Sequence, residues 1–436
     1  MVLILSDSFS PRLQYVADFI FKENFGIGYS ITTDKNSFKN SDAIRINYTP
    51  EVIAGDVIHI AGSRLLFEKK IYSQKIEIFL IDDLVAFFRN QEGPGNFPFD
   101  IFSATFYLLS RYEEYLPHAK DPYGRYDHRQ STAALNGFLR IPLINKWLLY
   151  FADFLQEKYH GIQLKKNVFS YQPTYDVDVA FDWKYKGLVR NAGQMLSLLA
   201  RQDYKKISQG TKVLKGEEND PSDNFEFFAK LHKRLSLKPT YFFLISNKIT
   251  RYDKNINPDS EGMRDFIQQV AAKNSIGIHP SYYSMLHENL LKSEKFLLED
   301  IVGITVLKSR QHYLRFVLPD TYRQLIDAGI KEEYSMGYGS TNGFRASYAG
   351  TFYWYDLEKE QQTNLSIHPF CYMDSNVIFH QKLTSAESVE ELKYFYETCK
   401  AVNGLFITVM HNHLMGDNDI EWRNAYEQFL YDTIKH

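Results

Sequence analysis

Thr174-Tyr175-Asp176-Val177-Asp178 closes a run rich in aromatic and β-branched residues that reads as a strand over 168–179. On a strand, side chains at i and i+2 share a face, so Asp176 and Asp178 converge on one spot. Two carboxylates held together repel, and a cation or a proton between them relieves both. The pair suits a metal ligand beside a general base. A polar strand end in solvent is the other reading of these five residues alone.

Working outward, the chain from about Lys165 onward alternates strand and helix. Further strands are expected at 240–245, 276–279, 302–308, 335–338, 365–367 and 405–411. Between them, Met263, Phe266, Ile267 and Val270 keep helical spacing, as do Leu392, Phe395, Tyr396 and Cys399. This rhythm predicts an α/β fold, with a parallel sheet clad in helices and closed, or nearly closed, into a barrel. No repeat of sequence is present. One segment breaks the rhythm: Lys184 to Asn224 carries eight basic residues and an apolar patch (Met195, Leu196, Leu198, Leu199). Entering directly after Asp178, it is placed to act as a lid, and its basic amphipathic character also suits a membrane surface.

The 436 residues suggest more than one domain, divided here into 1–165 and 166–436. The first part reads as a smaller α/β unit, with strands at 2–6, 43–48, 57–61 and 76–80. Its helices are expected at 11–22, 100–114 and 143–158, and Gln91-Glu-Gly-Pro-Gly-Asn-Phe-Pro breaks regular structure. Within it, Ser110-Arg111-Tyr112-Glu113-Glu114 is expected to be a solvated or interdomain helix face. Apolar residues at 44%, charged residues at 24% and a net charge of −3 describe a globular chain with no general electrostatic pull toward nucleic acid. Cys371 and Cys399 are the only cysteines, too few for a disulfide framework. The N-terminal apolar run reads as a strand rather than a signal peptide, and no run is long enough to span a membrane. A cytoplasmic location is the expectation.

Sites in parallel barrels gather at the C-terminal ends of strands. There the sequence places Asp176 and Asp178, then His279 at the end of 276–279. Arg310 and His312 follow the strand at 302–308, and His411-Asn412-His413 ends the last strand. An Asp with neutral imidazoles is an ordinary set for Zn²⁺. A second Asp can take a proton from water, and a His on the opposite side can protonate a leaving group.

The order Asp-x-Asp, His-Pro, Arg-x-His-Tyr, His-Asn resembles the polysaccharide deacetylases of the NodB-homology group (carbohydrate esterase family 4-like), over about 171–436. The first 165 residues resemble an accessory domain of unknown function found ahead of such domains in some bacteria. The resemblance implies a distorted (β/α) barrel with Asp176 as base, Asp178 and His279 as metal ligands, Arg310 orienting the base and His411 as general acid. It departs at the second histidine of the His-containing motif, which falls on Tyr283; His312 is then the candidate third ligand. Gly343–Ala346 and Asp374 are further rim candidates, with Arg345 either a substrate contact or half of an internal salt bridge.

The function expected is a metal-dependent hydrolase, with a divalent ion such as Zn²⁺, removing an acyl group from a sugar or polysaccharide. Hydrolysis of another non-peptide C–N amide, or glycan binding by a decayed site, are the alternatives. A paired-carboxylate glycosidase fits less well, because acids two apart on one strand cannot flank a glycosidic bond. The expected partner is a carbohydrate or a small amide, with neither nucleic acid nor stable membrane insertion.

Overall fold

The computed structural model describes residues 1–434 apart from 91, 92, 94 and 95. Four short strands open the chain: β1 (Val2–Ser6), β2 (Tyr29–Thr32), β3 (Ile44–Tyr48) and β4 (Ile58–His59). They pair in parallel in the order β2-β1-β3-β4. A hairpin of β5 (Phe79–Ile81) and β6 (Leu84–Ala86) follows. The break expected at 91–98 lies partly outside the described residues. Helix Pro11–Ala17 is capped by the Ser10 hydroxyl and runs on as a wider π turn to Asn24. Helix Leu143–Lys158 has the expected bounds.

The helix expected over 100–114 is shorter. It spans Ile101–Leu109, with the Asp100 carboxylate accepting from the Ser103 N–H, and is buried all round. Arg111 then takes a φ of +53°, which no α-helix accommodates, and Tyr112–Tyr115 continues as a 3₁₀ turn. That bend turns Arg111, Glu113 and Glu114 inward, where all three are buried. Of the two readings of this stretch, burial removes the solvated one and leaves the contact between the two parts of the chain: Glu114 accepts 2.6 and 2.9 Å bonds from Arg345 and a 2.8 Å bond from Arg111.

The second sheet has nine strands: β7 (Ser170–Val177), β8 (Thr240–Leu244), β9 (Ser275–His279), β10 (Lys308–Ser309), β11 (Glu332–Glu333), β12 (Phe352–Asp356), β13 (Gln361–Ile367), β14 (Tyr372–Met373) and β15 (Leu405–His411). Their order is β12-β13-β11-β10-β9-β8-β7-β15-β14, and all pairs are parallel except β12 with β13. Two expected strands are corrected. Of residues 302–308 only Lys308 is in a strand, β10, because helix Glu288–Val302 runs to Val302 and Gly303 caps it with φ +70°. Glu332–Glu333 takes the place of 335–338. The antiparallel β12 and the short β14 carried no sequence signal that was recognised.

Alternation along the strands separates the two faces. Tyr175 and Val177 on β7, Ile276 and Ile278 on β9, and Phe406 and Met410 on β15 join the large core under the helices. Phe242, Ile407, Val409, Tyr334, Phe370 and Met373 make a second buried cluster on the inner face. Residues from β8, β14 and β15 can meet there only if the sheet is curled. In a flat sheet β10 and β15, four strands apart, would be separated by ~19 Å. Instead His312, three residues past β10, and His411, the last residue of β15, both lie within 3.7 Å of the Asp178 carboxylate. The protein is a mixed α/β structure with a parallel-rich, barrel-like sheet. Among the described residues no helix is long and apolar enough to cross a membrane.

Candidate active site

The inward residues of β7, β9 and β15 share a register that delivers chemistry to one end. Asp176 is inward on β7, His279 on β9 and His411 on β15; Asp178 lies one residue past β7. Gly277, two before His279, makes this possible: a Cβ there would sit 2.5 Å from the Phe242 ring and 2.9 Å from the Lys308 carbonyl. The absent side chain leaves room for the interior ring.

Three imidazoles point Nε2 at the acids, and each has Nδ1 tied back. His279 Nδ1 lies 2.6 Å from the Arg310 carbonyl, which can only accept, so the hydrogen sits on Nδ1 and Nε2 is free. His312 Nδ1 donates to Asp253 Oδ1 at 2.9 Å, and His411 Nδ1 to Asp374 Oδ1 at 2.6 Å. Asp374 also accepts from the His411 backbone N–H at 2.6 Å. The free nitrogens approach Asp178 at 3.2 Å (His279), 3.6 Å (His312) and 3.7 Å (His411). Asp176 turns Oδ2 toward His279 Nε2 at 3.8 Å, and its other oxygen is gripped by the fully buried Arg310, whose Nη1 donates to Oδ1 at 2.8 Å while Nε donates to the Tyr334 carbonyl.

Asp178, His279 and His312 form a group that could hold a metal ion, with donor atoms within 4.8 Å of one another. Tetrahedral ligation at ~2.0–2.1 Å needs donors ~3.3 Å apart, close to the spacings around Asp178. Asp178 Oδ1 is buried without a hydrogen bond, as a ligand atom awaiting a cation would be. The electrostatics show the acids drawing positive charge to this spot, whether from a protonated imidazole or from a cation. Burial alone would raise the Asp178 carboxyl, but the His312 and His279 imidazoles outweigh it and hold it well below its ordinary value. Burial pulls His312 down, yet Asp178 and Asp253 push it up to about 9. His411 is likewise lowered by burial and raised further by Asp374 and Asp178, to about 10. His413, beside them, is pushed by burial down to about 4 and is neutral at pH 7.

These groups open on a cavity of about 380 Å³. Tyr123, Tyr252 and Tyr313 line one wall, the Tyr123 and Tyr313 rings 5.1 Å apart. Tyr123 and Arg125 come from the first 165 residues. Arg125 Nη1 donates to the Tyr313 carbonyl at 2.8 Å, and Arg315 Nε returns a bond to the Tyr123 carbonyl. Tyr313, next to His312, has φ +59°, so Arg125 braces a backbone turn that non-glycine residues rarely adopt.

The structure brings together all six sequence candidates: Asp176, Asp178, His279, Arg310, His312 and His411. Tyr283, where a second motif histidine was expected, is 40% exposed and does not line the cavity. Arg345 sits in its salt bridge with Glu114, away from the cavity. The 184–224 segment also contributes nothing to the lining, so it does not cover the site as a lid. Asp253, Tyr123 and Arg125 were missed. No motif marks them, and only the folded chain places Asp253 on His312 and Tyr123 and Arg125 on its neighbour Tyr313.

Among known proteins, a family of unknown function (DUF7033) matches residues 2–160. No curated protein matches the chain. Solved structures are similar over about three fifths of the chain. A putative polysaccharide deacetylase from Mycobacterium smegmatis is 12% identical, covering 62% of this chain and 85% of that one, with a TM-score of 0.39. Puue allantoinase is 12% identical, covering 64% and 87%, with a TM-score of 0.40. A CE4 family pseudoenzyme from Bacillus anthracis is 10% identical, covering 61% and 62%, with a TM-score of 0.29.

Proposed function

We propose that the protein is a metal-dependent hydrolase that removes an acyl group, an N-acetyl in the first instance, from a sugar or polysaccharide. The observation that carries the reading is the convergence of three Nε2 atoms on Asp178, each imidazole fixed through its Nδ1. Asp178, His279 and His312 would hold the cation, Zn²⁺ in this reading. The bound ion would supply Lewis acidity toward the acyl oxygen and make a neighbouring water more acidic. Asp176, held by Arg310, accepts the proton from that water. Asp374 keeps His411 protonated at neutral pH, the form that donates to the departing amine nitrogen. Tyr123, Tyr252 and Tyr313 offer aromatic faces to a sugar ring. The barrel-like part, 166–436, carries the chemistry in this reading, and 1–165 is an accessory unit that shapes one wall.

Hydrolysis of a different non-peptide amide uses the same groups, and a screen of small acetamides against acetylated glycans separates the two. The decisive variants are Asp178→Ala, His279→Ala and His411→Ala. The first two are expected to lose Zn²⁺ by metal analysis, whereas His411→Ala keeps the metal and loses turnover. Full metal content in both ligand variants would refute the assignment. A wild-type protein that binds glycan but takes up no metal would mark a decayed glycan-binding site instead.

A further inference from the structure

The hairpin of helices Leu188–Ala200 and Tyr204–Lys215 lines no part of the cavity, so its composition calls for another explanation. Its base is firmly placed. Asp220 accepts from the backbone N–H groups of Asp182, Trp183 and Lys184 at 2.8–3.0 Å. Gly210 lies against the buried Trp183, where a Cβ would come within 2.4 Å of the indole. One face therefore packs on the body of the protein, and the opposite face is turned outward.

That outward face is apolar on one helix and basic on the other. Leu188, Ala192, Leu196 and Leu199 follow i, i+4, i+8, i+11 spacing and are all exposed, with Leu188 at 90% and Leu196 at 67%. Val189 beside them is 88% exposed. Residues 184–224 hold eight Lys or Arg against five acids, of which only Asp203 lies within the hairpin while Glu217, Glu218, Asp220 and Asp223 follow its second helix, in a chain whose net charge is −3. Lys212 pairs with Glu218 and Lys184 with Asp223, while Arg201, Lys205 and Lys215 make no salt bridge among the described residues. We propose that this hairpin docks the protein on an anionic lipid surface, leucines in the acyl boundary and lysines among the headgroups. A second copy of the same face would bring like charges together. Nucleic acid would leave the leucine stripe without a partner.

The test is co-sedimentation of the full chain with vesicles of phosphatidylcholine alone and of equal parts phosphatidylcholine and phosphatidylglycerol. Binding is expected to the anionic vesicles, at least about tenfold stronger than to the neutral ones and falling as salt is raised. The double variant Leu188→Glu with Leu196→Glu should lose binding while its circular dichroism and melting temperature stay unchanged, since both side chains are exposed. Lys205→Ala with Lys215→Ala should weaken binding only at low salt. The proposal fails if the wild type ignores anionic vesicles or if the leucine variant binds as well as the wild type. It fails equally if the leucines instead mediate a concentration-dependent dimer that binds no vesicle.

Discussion

Each imidazole at the centre of the site is a two-ended device. Nδ1 is committed to an acceptor and Nε2 is left for chemistry, which fixes tautomer and ring orientation together. The acceptors differ, and so do the consequences. His279 leans on a neutral carbonyl, while His312 and His411 lean on carboxylates that raise their pKa values. For His411 this bears on pH dependence. Asp374 raises the His411 pKa and keeps the imidazolium populated above neutral pH, and activity that needs the protonated form falls as pH rises through that raised value. Asp374→Asn removes a carboxylate that raises it. The alkaline limb of the pH–kcat profile is therefore expected to move to lower pH in that variant, with metal content unchanged. An unmoved limb would detach His411 from the proton transfer. At this scale the sequence was legible where a residue sits on a strand end, as with Asp176, Asp178 and His411. Asp253 was not legible, because it lies in a loop with no periodicity and acquires its partner 59 positions away.

Among the elements, β9 shows how a strand prepares the site it ends in. Its inward positions are Gly277 and His279: the first yields space to Phe242, the second reaches the acids. Gly277→Ala would place a methyl against the ring and the Lys308 carbonyl. Overpacking of this kind costs about 1–3 kcal/mol, and a lowered melting temperature measures it. A variant as stable as the wild type would show that the interior is looser than its packing indicates. The long elements, Leu143–Lys158 and Leu405–His411, were readable to their ends because burial on one face repeats along the chain. Two-residue strands such as Lys308–Ser309 and Glu332–Glu333 were not. Their pairing is set by neighbours in the sheet, and so short a segment holds less than one full alternation.

Across the whole molecule, the first 165 residues and the rest share one continuous buried core and a charged seam. Glu114 stands between Arg111 and Arg345. Burial alone would raise its carboxyl, but Arg345 and Arg111 hold it down at about 2 against an ordinary 4.5. A depressed carboxylate contributes stability that is complete above its unfolded value and is lost as pH falls through the folded one. Stability is therefore expected to drop between about pH 5 and pH 2. Arg345→Ala leaves a buried charge short of a partner, a loss of about 3–5 kcal/mol by chemical denaturation, together with a weaker acid transition. A change of only a few tenths would mean the seam is open to water. By itself the sequence determined the alternating strands and helices, the acids on one strand face and the histidines at the strand ends, because those patterns are written in near neighbours. The tertiary structure alone decided that His312 completes the group around Asp178, that Glu114 faces Arg345 and that Tyr123 reaches the cavity. Those meetings depend on how far the sheet curls and on contacts between residues far apart in the chain, which no local period encodes.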